Sequence, residues 1–81
     1  GKLKHFIPED NIYVYFRYNS TKTVMVILNS NKTPKVLKTE RFNEMMGGYS
    51  KGFDVINTKT FENLDKIKLS PRSALVIELL P

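Results

Sequence analysis

Residues 12–28 read IYVYFRYNSTKTVMVIL, two apolar runs around a short polar break. Ile12 to Tyr18 is the most β-prone stretch of the chain, since every residue except Arg17 is β-branched or aromatic. Asn19, Ser20 and Thr21 interrupt it, and Thr23 to Leu28 resumes it, which predicts an antiparallel hairpin. Successive side chains alternate across a strand, so each run divides by parity. Ile12, Val14, Phe16 and Tyr18 share one face of the first run, and Tyr13, Tyr15 and Arg17 the other. In the second run Val24, Val26 and Leu28 oppose Met25 and Ile27. Both runs are apolar on both faces. A two-sheet sandwich standing alone buries the inner face of each sheet and leaves the outer one polar. The hairpin therefore predicts strands and also raises the question of what lies over their second face.

The same texture continues in both directions. Upstream, Leu3 to Ile7 is stopped by Pro8, with Glu9, Asp10 and Asn11 as a turn. Downstream, a turn at Asn29 to Lys32 is followed by Lys35 to Lys38, which Pro34 holds to the start or edge of a sheet because proline offers the ladder no donor. At residues 40–46 the period changes. Phe42, Met45 and Met46 fall at i, i+3 and i+4, which predicts one or two helical turns with Thr39 as cap and Gly47 as a left-handed stop. Gly47 and Gly48 lack the GxxxxGK pattern of a phosphate loop. Further runs follow at Phe53 to Ile56, near Phe61 and at Lys66 to Leu69. Ser73 to Leu80 closes the chain, with Leu75, Ile77 and Leu79 opposing Ala74, Val76, Glu78 and Leu80. The fold class expected is all-β, an antiparallel β-sandwich of seven to eight short strands with one helical turn near residues 40–46.

Composition narrows the chemistry. The chain has 81 residues, 41% of them hydrophobic and 26% charged, which suits one small folded domain. It has no cysteine and a single histidine, so thiolate zinc sites, disulfides, cysteine nucleophiles and histidine-rich metal centres are excluded, and no cofactor is expected. No apolar run approaches the roughly 18 residues of a membrane span. The chain starts at Gly1 rather than Met, which fits a piece of a larger protein. Glu9, Asp10, Glu44, Asp54, Glu62, Asp65 and Glu78 are scattered over turns and strands, and none forms the paired carboxylates of general acid and base work. His5 alternates with Lys2 and Lys4, as a surface histidine would.

The formal charge of +5, with aromatics on strands, also suits a single-strand nucleic-acid binder. Against that, the positive charge is spread over turns and an edge strand rather than clustered, and the RNP-type spacing is missing, so no nucleic acid is expected as a partner. The second apolar face has two readings. Either the chain's own loops and helical turn cover it, or Tyr13, Tyr15, Met25 and Ile27 form a patch that docks on another domain or subunit, as interdomain surfaces of about 600–1,500 Å² do. Exposed tyrosines can also stack on sugar rings, although the absence of tryptophan weakens that case.

The order of segments carries a resemblance. The series GKLKHFIPEDNIYVYFRY, TVMVILNSN, LKTERFNEMMGGYSKGFDVI and KLSPRSALVIEL resembles the C-terminal β-domain of bacterial cyclomaltodextrinase and neopullulanase-type enzymes of the alpha-amylase superfamily. The matching features are the Gly1 to Phe6 strand, the Y-x-Y-x-R of Tyr13 to Arg17, the strand ending at Asn29, the Arg41–Phe42 turn, and Pro71, Arg72 and Ser73 before the last strand. The resemblance implies a noncatalytic sandwich over residues 1–81 that follows the (β/α)8 catalytic barrel of the same polypeptide and packs against it. It implies no catalytic residue in this chain, leaves a weak affinity for starch or maltooligosaccharide as the alternative role, and leaves periplasm and cytoplasm both open. The expected interface comprises Tyr13, Tyr15, Arg17, Met25 and Ile27.

Overall fold

The computed structural model describes all residues 1–81. Eight strands run in chain order as β1 Lys2–His5, β2 Ile12–Tyr18, β3 Thr23–Asn29, β4 Lys35–Lys38, β5 Lys51–Asp54, β6 Lys59–Phe61, β7 Lys66–Leu69 and β8 Ser73–Leu80. A 3-10 turn at Glu40–Phe42 and the helix α1, Asn43–Met46, stand between β4 and β5. Six strands form one antiparallel sheet in the order β1-β2-β3-β8-β5-β6, and β4 pairs with β7 in a second, small sheet. The fold class is the one expected, an all-β sandwich.

The opening hairpin forms because Asn19 closes its loop. Its side-chain Oδ1 accepts from the backbone N–H of Thr21 (2.8 Å), the Thr21 hydroxyl (2.9 Å) and the backbone N–H of Lys22 (2.8 Å). The same side chain that breaks the strand thus builds the turn. The register then runs from Tyr18 opposite Thr23 to Ile12 opposite Asn29. That register corrects one expectation. Met25 lies opposite Phe16 and Ile27 opposite Val14, so both are on the core face and fully buried, at 0% exposure. The residues that share the face of Tyr13, Tyr15 and Arg17 are Leu28, Val26 and Val24.

The core is one cluster between the two sheets. Val14, Phe16, Met25, Ile27, Leu75, Ile77 and Leu79 come from the large sheet, and Leu37, Ile67 and Leu69 from the small one. Phe42 and Met46 from the helical segment and Leu64 close it. Gly52 sits in β5 where a Cβ would stand 2.5 Å from Cγ2 of Ile77 and 3.1 Å from Cδ2 of Leu64, so the close approach of strand to core requires glycine. The helical turns fall where the spacing of Phe42, Met45 and Met46 puts them, with two differences at their ends. The Thr39 hydroxyl caps nothing and donates to the carbonyls of Leu64 (2.6 Å) and Asp65 (3.1 Å), tying the helical segment to the loop before β7. The positive φ belongs to Gly48 (91°) rather than Gly47 (−59°), because the chain turns one residue later.

Two further ties fix the loops. Buried Asn29 donates to the Ser70 carbonyl (2.9 Å) and accepts from the backbone N–H (3.0 Å) and side-chain amide (2.9 Å) of Asn31. Asn31 in turn reaches the Asp10 carbonyl (2.7 Å). At the other end Phe6 meets Phe42 edge to face at 4.8 Å, and the Arg41 guanidinium lies over the Phe42 ring at 4.5 Å while bonding the Ile7 carbonyl (3.0 Å).

Candidate functional site

Everything that covers the large sheet lies on one side of it. The small sheet and the helical segment join the core face, and the opposite face is left without a layer. Cross-strand register assembles that open face into rows. Tyr13, Leu28 and Ala74 form the first, and His5, Tyr15, Val26 and Val76 the second. Leu3, Arg17, Val24, Glu78 and Phe53 form the third. Beyond β5 the backbone N–H of Val55 bonds the Val76 carbonyl (2.9 Å), which carries the second row on to the tip of the β5–β6 hairpin.

The face is apolar at its centre and wet at its margins. Val26, in mid-sheet, is only 9% exposed, whereas Tyr13 (48%), Leu28 (43%) and Val55 (49%) stand open to solvent. His5 stacks on Tyr15 with ring centroids 5.3 Å apart. Charge enters this face at Arg17, Glu78 and Lys51. Glu78 is held by Lys22 (3.7 Å) and Lys51 by Glu62 (3.6 Å), while Arg17 belongs to none of the chain's ion pairs.

Of the five residues expected at the interface, the structure brings Tyr13, Tyr15 and Arg17 together on this face and puts Met25 and Ile27 in the core. Reading by parity missed Val24, Val26, Leu28, Val76 and Val55. The signal was present for β3. A four-residue loop between Tyr18 and Thr23 pairs odd positions of one strand with even positions of the next, which selects Val24, Val26 and Leu28.

No constellation for bond-breaking chemistry accompanies this face. The one fully buried carboxylate, Asp54 at 1% exposure, is committed to its own hairpin. It accepts from the backbone N–H of Ile56 (3.0 Å) and Asn57 (3.4 Å) and from the Asn57 side chain (2.7 Å), which fixes the tip that carries Val55. No three His, Cys, Asp or Glu side chains converge as metal ligands. Lys38, Lys66 and Lys68 lie exposed on the outer side of the small sheet, across the molecule from the tyrosines. These three lysines are therefore not interleaved with the tyrosines of the open face.

Comparison with known proteins adds a family and a fold. The family model described as the cyclo-malto-dextrinase C-terminal domain matches residues 3–78. Among solved structures, a variant of AmyP in complex with maltotriose superposes at a TM-score of 0.77 with 11% identity, covering 98% of this chain and 16% of that one. AmyP in complex with maltose gives 0.76 at 11% identity, over 96% of this chain and 16% of that one. A candidate alpha-N-acetylgalactosaminidase from Bacillus halodurans gives 0.71 at 16% identity, over 98% of this chain and 20% of that one. At these identities the likeness concerns the fold, and the chain spans no more than a fifth of each of these three structures.

Proposed function

This chain belongs to the cyclo-malto-dextrinase C-terminal domain family, and from that premise we propose that it is the noncatalytic C-terminal domain of an alpha-glucan-degrading glycoside hydrolase of the alpha-amylase superfamily, of the neopullulanase or cyclomaltodextrinase type. Its role is to pack against the catalytic (β/α)8 barrel of the same polypeptide and hold it in place. The observation that carries this reading is the open apolar face of Tyr13, Tyr15, Val24, Val26, Leu28, Val55 and Val76, which the chain itself leaves without a covering layer. A contiguous apolar surface of this kind on a small domain marks an interaction site. The small span of the chain within structures of similar fold agrees with a module of a larger protein.

The experiment compares Tyr13→Ala in two settings, the 81-residue chain and the full-length protein. In the chain alone the change is expected to cost less than about 0.5 kcal/mol, as for an exposed side chain. In the full-length protein the loss is expected to exceed about 1 kcal/mol, because Tyr13 is then buried between domains. Equal small losses in both settings would defeat the docking role.

The open tyrosine and the His5–Tyr15 stack favour a second reading, a weak maltooligosaccharide platform. Affinity electrophoresis in gels containing maltooligosaccharide or starch separates the two. Retardation lost on Tyr13→Ala supports the platform, and unretarded migration at millimolar ligand supports the structural role.

A further inference from the structure

We infer that the domain docked on the open face presents a carboxylate side chain to Arg17, an inference that rests on the docking reading above and names the chemistry of the partner. At the β1–β2 end of the face a hollow of about 500 Å³ is lined by Gly1, Lys2, Leu3, His5, Tyr15 and Arg17. Its polar walls carry cationic and neutral groups and no carboxylate. Arg17 stands in register between Leu3 on β1 and Val24 on β3, so an apolar partner settling on this face removes water from the guanidinium. A desolvated charge without a partner opposes docking, whereas one that meets a hydrogen-bonded counterion does not.

The face has no counterion to spare. Glu78, the carboxylate in the same row, is engaged by Lys22 at 3.7 Å, and Arg17 has no ion pair. The planar fork of an arginine matches a carboxylate through two parallel hydrogen bonds, which selects an aspartate or glutamate of the docked domain over a single neutral acceptor.

The test places an amine at this position and asks what it touches. The full-length protein with Arg17→Lys is treated with a water-soluble carbodiimide, which joins an amine to a contacting carboxylate as an amide while the reagent takes up the water as its urea. Peptide mapping of the monomeric fraction is expected to show position 17 linked to an Asp or Glu outside residues 1–81. A link to Glu78 or another carboxylate within the chain, a link found only in dimers, or no link at all overturns the inference. A second readout guards against a lysine that falls short. Arg17→Glu sets two carboxylates together and is expected to melt at a lower temperature than Arg17→Met in the full-length protein; equal melting temperatures overturn the inference. If both readouts fail while Tyr13→Ala still destabilises the full-length protein, the carboxylate falls and the docking stands. If Tyr13→Ala is silent as well, both fall.

Discussion

On one face of the six-stranded sheet Val14, Phe16, Met25, Ile27, Leu75 and Ile77 are sealed by the small sheet and the helical segment. On the other face Tyr13, Tyr15, Val24, Val26, Leu28 and Val76 have no layer of the chain above them. Both sets are built of apolar and aromatic residues, although the open one has two tyrosines and shares its face with His5, Arg17 and Glu78. What separates them is the position of the covering segments, since β4, the helical turns and β7 all lie on the same side. An apolar face is thus a core face only where the chain returns over it, and where the chain does not, similar residue types are left as surface.

Substitutions that affect the two faces unequally test that contrast. Phe16→Ala empties the middle of the sealed side and is expected to cost about 3–5 kcal/mol in urea denaturation, equally in the 81-residue chain and in the full-length protein. A loss confined to the full-length protein would move Phe16 to the interface and break the distinction. Ile27→Asp, which the parity reading would place on the docking patch, is expected to prevent folding in both settings, because it buries a charge with no partner. Gly52→Ala probes how tightly the sealed side is built. The added methyl meets the side chains of Ile77 and Leu64, and a loss of about 1–3 kcal/mol is expected from overpacking. The smallest effect belongs to the margin of the open side. Lys51→Gln removes a solvent-exposed pair with Glu62 and is expected to change stability by less than about 0.5 kcal/mol.

The strands were legible because valine, isoleucine and aromatic runs alternate with asparagine, serine and proline turns, and β2, β4, β7 and β8 occupy the runs that pattern marks. The apolar character of both faces was legible for the same reason. The identity of the faces across β2 and β3 was not read from parity, because parity divides one strand at a time and only register joins two. The loop of Asn19 to Lys22 held the answer, since an even number of loop residues pairs Tyr13 with Leu28 and leaves Ile27 with Val14. Val55 escaped for another reason. The run expected at Phe53 to Ile56 contains it, but β5 ends at Asp54, and the face that Val55 joins follows only from the pairing with β8 and from the turn that the buried Asp54 carboxylate organises. Thr39 shows the competition between local and tertiary partners, for a hydroxyl suited to capping the helical turn bonds instead with carbonyls about 25 residues away.

The central claim is that the open face is buried by another domain of the same protein. Hydroxyl-radical footprinting of Tyr13, Tyr15 and Leu28 tests it directly, with oxidation rates compared between the 81-residue chain and the full-length monomer. The docking account predicts that all three are oxidised readily in the chain alone and are several-fold protected in the full-length protein, while buried Phe16 and Ile27 stay protected in both. Equal oxidation of the three residues in the two settings would contradict it.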